Sequence, residues 1–294
     1  MSTNCQPGIL APVPKFSRYL EFGMRPDADP RKALKALAAR KVDDGAIIGI
    51  GPAVVAKLKG KVPALRPFPS LSGPACNVVS TQTDLWIWLR GSDRGDLVHA
   101  GNGVADMVAP AFGLDRRVDG FMFADSRDLS GYEDGTENPK GAKGVAAAVA
   151  AGQGKGLDGS SYVAVQQWLH DLGHFNKLSQ KHRDNIIGRR HSDNAEFDAA
   201  PKSAHVKRAA QESFSPDAFM LRRSMPWADA NGEGLMFVAF GKTLDAYEAV
   251  LKRMAGQEDG IADGLFRFTR PMSGSYFWCP PVKAGKLDLS AIGI

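Results

Sequence analysis

Leu85-Trp86-Ile87-Trp88-Leu89 reads as an aromatic-rich strand, and the segments around it decide the fold. A helix follows from about Asp96 to Ala111, with Val104, Met107 and Val108 at helical spacing, and then a strand from Val118 to Ala124. Upstream, Arg18 to Met24 and Ala46 to Gly51 look like strands. Between them, Arg31 to Lys41 places Leu34, Leu37 and Ala38 on one helical face. The order is β-α-β-β-α-β, the ferredoxin-like plan.

The second half partly repeats the pattern. Ser161 to Trp168, Ala218 to Arg223, Leu235 to Phe240 and Tyr276 to Cys279 read as strands. Asn176 to Ile187 reads as a helix, as does Leu244 to Met254, where Leu244, Tyr247, Leu251 and Met254 share a face. The expected class is α+β, with two ferredoxin-like halves, residues 1–140 and 141–294. The joint between Pro139 and Asp158 is rich in glycine (Gly141, Gly144, Gly152, Gly154, Gly156) and reads as a linker or surface loop.

The chain has 294 residues, room for one large domain or two of ordinary size. An apolar share of 44% and a charged share of 23% set aside disordered and fibrous classes. The net charge is +5, but the positive residues are scattered rather than gathered into one arm, so nucleic acid is not an expected partner. Cys5, Cys76 and Cys279 lack CxxC spacing, which argues against a disulfide framework and against a zinc or iron–sulfur site. The first residues carry no charged n-region or apolar h-region, and no apolar run reaches transmembrane length. The expectation is a cytoplasmic chain with no membrane partner.

Gly131-Tyr132-Glu133-Asp134-Gly135-Thr136-Glu137-Asn138-Pro139 shows no hydrophobic period. Its glycines permit unusual backbone angles and its Asn-Pro stops any helix, so it reads as a shaped loop holding Asp134 in place. An arbitrary loop of this kind is a solvated acidic turn; a carboxylate held on a loop is also a common active-site part. Other candidates are weaker. Gly152-Gln153-Gly154-Lys155-Gly156 lacks Walker spacing, and Pro52 and Val54 spoil a dinucleotide fingerprint after Gly49-Ile50-Gly51. His170 and His174 lie four apart without the metalloprotease glutamate, and a surface or capping role is expected for them. His182 and His191 sit on a basic face. His205 stands alone, and Arg222 lies in an apolar strand, where a guanidinium needs an anionic partner.

Six ordered segments together resemble the dye-decolourising peroxidases, haem proteins of the dimeric α/β-barrel superfamily, and most closely the bacterial deferrochelatase-like group. They are Asp128 to Pro139, which contains a GxxDG signature; Ser161 to Trp168; Ile187-Gly188-Arg189; Ser203-Ala204-His205; Leu221-Arg222-Arg223-Ser224-Met225-Pro226; and Leu265 to Pro271. The similarity spans nearly the whole chain. It departs at Trp227-Ala228, where an aromatic followed by glycine is common.

The resemblance implies the following. His205 is the proximal ligand of the iron of one haem b per chain, with Asp263 as carboxylate partner of its far nitrogen. Asp134 and Arg222 are the distal pair, with Ser224 a further distal polar residue. Arg189 and Thr136 contact the haem. The activity implied is reduction of hydrogen peroxide through an oxyferryl intermediate, with oxidation of small one-electron donors such as dyes, phenolics or porphyrinogens. Trp168 and Trp227 are candidate electron relays. The alternative is a protein that stores haem or releases its iron. The family also implies a homo-oligomer and, in some members, a place as cargo of an encapsulin shell, for which Leu287 to Ile294 is the candidate docking tail.

Overall fold

The computed structural model describes residues 4–294. Eight strands carry the architecture: β1 (Phe16–Met24), β2 (Ala46–Ile50), β3 (Leu85–Gly91), β4 (Phe112–Phe121), β5 (Ser161–His170), β6 (Met225–Asp229), β7 (Gly232–Gly241) and β8 (Ser275–Cys279). They run side by side in the order β5-β8-β2-β3-β1-β4-β6-β7, and β7 pairs again with β5, so the sheet closes into a barrel. Two short strands extend it: Thr269–Pro271 beside the far end of β5, and Leu221–Arg222 beside the far end of β7.

Period-two alternation sorts the side chains between two cores. Tyr19, Trp86, Trp88, Val165, Phe240 and Phe277 fill the barrel interior. Trp86 stacks on Phe277 at 6.0 Å between ring centroids, and Tyr19 on Trp88 at 5.6 Å. The alternate residues Leu20, Phe22, Leu85, Ile87 and Leu89 point outward and are buried with Leu34 and Leu37 of the helix Arg31–Ala39 and with Leu97 and Val104 of the helix Arg94–Val108. The aromatic strand Leu85 to Leu89 therefore serves both cores, one with each face.

Three expectations need correction. The stretch after Pro139 is not a bare linker: Gly141–Ala148 is a helix with Ala147 and Ala148 buried, and Lys242 N–H donates to the Ala147 carbonyl at 2.8 Å. Small side chains let that helix lie against the barrel. The single helix expected over Asn176 to Ile187 is two, Leu172–Lys177 and Gln180–Ile187. Asp171 and Ser179 each accept an N–H of the turn that follows them, so each opens its own helix. Strand β6 was not expected, because Pro226 lies inside it. It pairs with β7 and meets β4 at Gly120↔Trp227, and so carries the sheet from β4 to β7. Among the described residues no helix is long and apolar enough to cross a membrane.

Candidate active site

The outward faces of β5 and β7 do not pack flush against the helix Asp245–Met254. Gln166 and Trp168 from β5, Leu235 and Phe237 from β7, and Tyr247 and Val250 from the helix wall a cavity instead, open to solvent, with about 990 Å³ of space. The wall is mostly apolar. His205, Asp134, Arg222 and His170 bring polar chemistry to it.

His205 opens the short helix His205–Arg208. Its Nδ1 lies 2.8 Å from Asp263 Oδ2, which leaves Nε2 with no protein partner among the described residues. Asp263 is fully buried and fixed at three points. Its backbone N–H donates to the Met254 carbonyl at 2.8 Å, its Oδ1 accepts from Leu265 N–H at 2.8 Å, and Oδ2 takes His205. A carboxylate on Nδ1 fixes the tautomer in which Nδ1 carries hydrogen and Nε2 holds a free lone pair. Arg208, on the same helix, forms a two-pronged pair with Asp259 at 2.8 Å on each prong and donates to the Arg253 carbonyl, which ties the His205 segment to the end of the helix Asp245–Met254.

Gly188 supports His205 from the other side. It ends the helix Gln180–Ile187 at φ +90°, and a Cβ there would lie 2.3 Å from Val206 Cγ2 and 3.1 Å from Ala204 Cβ, the two neighbours of His205. Gly188→Ala is expected to cost about 1–3 kcal/mol in stability, from left-handed strain and overpacking together. Thermal or denaturant unfolding checks this, and a loss below a few tenths of a kcal/mol would count against it.

Asp134 and Arg222 reach the cavity together because Asn138 clamps one to the other. The Asn138 Oδ1 accepts Arg222 N–H at 2.8 Å, and its Nδ2 donates to the Arg222 carbonyl at 3.0 Å. The amide thus pairs with the backbone of Leu221–Arg222 as a neighbouring strand would. Gln211 adds a second tie, accepting Met220 N–H at 2.9 Å and donating to the Glu137 carbonyl at 3.3 Å. The Arg222 side chain has no hydrogen bond or ion pair among the described residues, and its Nε is buried without a partner. The anionic partner expected for a guanidinium in an apolar strand is absent from the protein itself.

Residues 125–284 match the family model described as Dyp-type peroxidase, C-terminal. The chain belongs to the Dyp-type peroxidases. It is 30% identical over 224 residues to the dye-decolorizing peroxidase of Mycobacterium tuberculosis, covering 74% of this chain and 67% of that one. It is 30% identical over 262 residues to that of Mycolicibacterium paratuberculosis, covering 86% and 71%. Its structure is similar to that of a dyp-type peroxidase protein from Shewanella oneidensis, with TM-score 0.89, 29% identity and coverage of 96% and 97%. It is also similar to a DypB variant of Rhodococcus jostii in complex with heme, with TM-score 0.85, 26% identity and coverage of 95% and 97%.

In this Dyp-type peroxidase the remaining expected residues lie around the cavity at different depths. Ser224 does not line the main cavity; it borders a smaller recess shared with Asp134 and Leu235, with its Oγ 3.4 Å from Val238 N. Thr136 and Arg189 line the mouth, beside Asp134 and His205. Thr136 Oγ1 accepts from Asn194 Nδ2 at 3.1 Å. Arg189 is nearly enclosed, held by Glu137 at 2.8 Å, by Glu196 and by the Asn194 carbonyl. Trp168 stacks on Phe266 at 5.6 Å, and Trp227 Nε1 donates to the Trp168 carbonyl at 2.9 Å.

The Dyp-type site also contains residues that sequence reasoning missed. The expectation of a surface or capping role for His170 is overturned. It is buried at the end of β5, between Thr269 and Asp128, and only His174 is exposed. Gln166 is fully buried; its Oε1 accepts from Trp168 Nε1 at 3.2 Å and from the Tyr247 hydroxyl, while its Nε2 finds no partner. Neither residue carries a local motif, although the alternation of β5 does place both on the face away from the barrel interior. Burial pushes the Cys76 thiol up to about 11, helped by the charge of Asp263, so it stays protonated near neutral pH.

Proposed function

We propose that the cavity takes one haem b per chain, whose iron His205 would hold, and that the protein reduces hydrogen peroxide while oxidising small one-electron donors. The observation that carries this reading is the pairing, across one apolar cavity, of a carboxylate-backed imidazole with an unpartnered guanidinium and a carboxylate. Among the described residues no group of three or more His, Cys, Asp or Glu could hold a metal ion. A metal on His205 therefore has to bring its own further ligands, as a porphyrin does. The apolar walls suit a porphyrin's faces and edges. When bound, haem supplies an iron that takes electrons from donors and gives them to peroxide.

The chain's own residues supply the rest. Asp263 keeps the His205 lone pair on Nε2 and raises its basicity. Asp134 takes a proton from one peroxide oxygen and returns it to the other. Arg222 stabilises the negative charge that develops as the O–O bond breaks. Ser224 sits beside Asp134 as a further polar residue, while Arg189 and Thr136 at the mouth would hold the carboxylates of a bound haem. For Arg189 this requires exchange of Glu137 or Glu196 for a haem carboxylate. Donors are met at the mouth, with Trp168 and Trp227 as candidate relays to more distant ones.

The strand order within each half, β2-β3-β1-β4 and β8-β5-β7-β6, supports division into two ferredoxin-like units, residues 1–140 and 141–294. A cytoplasmic homo-oligomer is part of the same proposal. As for a shell, Leu287, Leu289 and Ile292 of the tail are buried against their own chain, and Lys61 N–H donates to the Ala291 carbonyl at 3.0 Å. In this conformation they are not presented to a partner.

The test is an absorption spectrum of the haem-reconstituted protein before and after one equivalent of peroxide. A histidine-ligated ferric spectrum that changes on adding peroxide is the expected result. Haem binding with no such change, or iron-free porphyrin accumulating, would move the reading to haem storage or iron release. No specific haem binding would sink both.

A further inference from the structure

Asp128 and His170 line the cavity, yet the chemistry above uses neither. We infer that His170 is a positioning residue, which fixes the loop of Asp134 by holding Asp128. The inference rests on the peroxide reading of Asp134.

Asp128 is the knot at the loop's entry. Its backbone N–H donates to the Tyr132 carbonyl at 3.0 Å, its carbonyl accepts from Gly131 N–H at 2.8 Å, and its Oδ1 accepts from Ser130 N–H at 2.8 Å. These bonds fold residues 128–132 into a tight turn that passes through Gly131 at φ +88°, two residues before Glu133 and three before Asp134. The remaining oxygen, Oδ2, is 3.0 Å from His170 Nε2. That contact joins the turn to β5, which belongs to the rigid barrel.

His170 is held at both ring nitrogens. Its Nδ1 lies 2.6 Å from the Thr269 hydroxyl, which is itself 3.1 Å from the Leu169 carbonyl. Its Nε2 faces the Asp128 carboxylate, which can only accept, so Nε2 donates. The ring is tilted against Phe268 at 5.5 Å. Burial acts to raise the Asp128 carboxyl, but the hydrogen bond and charge of His170, with the Ser130 bonds, outweigh it and hold it below the ordinary range. Such a pair gives directional fixing that an apolar contact would not. At the loop's far end Asn138 grips Arg222. The two anchors together bracket Asp134.

A double-mutant cycle tests this. The quantity read is the second-order rate of the absorption change on mixing the haem-loaded full chain with hydrogen peroxide. His170→Phe keeps the ring contact and loses both hydrogen bonds; it is expected to slow that rate about 10–100-fold, as removal of outer-sphere partners does. His170→Gln, whose amide can still donate to Asp128, should recover part of the loss. In an Asp134→Ala background, His170→Phe should change the rate by less than about twofold, because coupled residues are not additive. Amide exchange over residues 131–138 should rise in His170→Phe. Equal losses in both backgrounds, or unchanged exchange, would overturn the inference while leaving the peroxide reading intact. An Asp134→Ala rate equal to wild type would remove that reading and the inference with it. Should His170→Phe fail to fold, His170→Gln runs the same cycle, with a smaller loss expected in the wild-type background and none in the other.

Discussion

His205→Ala is expected to remove the histidine-ligated spectrum and to weaken haem binding by more than about 100-fold, beyond the loss typical of outer-sphere partners. The argument starts from the ring's two nitrogens. Nδ1 is committed to Asp263, so Nε2 is the only atom of this side chain that can face a ligand in the cavity. Alanine leaves that position empty, and among the described residues no metal-binding cluster of His, Cys, Asp or Glu stands ready to replace it. Added imidazole should enter the space and restore the spectrum in part. Asp263→Asn is the milder companion. An amide oxygen can still accept from Nδ1, but the negative charge is gone, so haem affinity should fall about 10-fold and the iron's reduction potential should rise. Spectral titration and redox titration read these effects. An unchanged spectrum in His205→Ala would show that some other group binds the iron.

Much of the fold was legible because it is local. Strands β1, β2, β3, β5, β7 and β8 announce themselves by composition, and the amphipathic helices by a 3.6-residue period. Strand β6 was not legible, since Pro226 argues locally against a strand and only pairing with β7 outweighs it. The site divides in the same way. His205, Asp134 and Arg222 were picked out by motif resemblance, and the structure does bring them to one cavity. What brings them there was invisible. Asn138 reaches Arg222 across 84 positions, and His170 reaches Asp128 across 42 and Thr269 across 99. Such partners share no spacing or period, so only the closed barrel reveals them. The carboxylates around Arg189 were missed for a related reason, because Glu196 looks like any charged loop residue until its backbone bridges Arg189.

Arg222→Ala is expected to lower peroxide reactivity by about 10²–10³-fold, roughly 3–4 kcal/mol of barrier, the loss typical when one preorganised charge-stabilising group is removed. The same substitution is expected to leave the fold's stability unchanged or to raise it. Both halves of this expectation follow from one fact. The Arg222 guanidinium has no carboxylate, carbonyl or hydroxyl partner among the described residues, and its Nε is buried without a hydrogen bond. Desolvating a cation with no partner costs free energy in the folded state, so Arg222 does not support the structure that holds it. Its backbone does, through Asn138, and alanine keeps that backbone. A cation retained at such a cost needs an anion that arrives from outside. On the proposed reading, the charge on peroxide oxygen during O–O cleavage would be that anion. Arg222→Lys should recover only part of the activity, since the compact point charge of an ammonium does not reproduce the planar fork. Stopped-flow mixing with peroxide, run beside thermal unfolding of the same samples, separates the two halves. Loss of activity and stability together would mean that Arg222 is a structural residue whose partner forms only when haem is bound. Activity preserved at lower stability would remove it from the chemistry altogether.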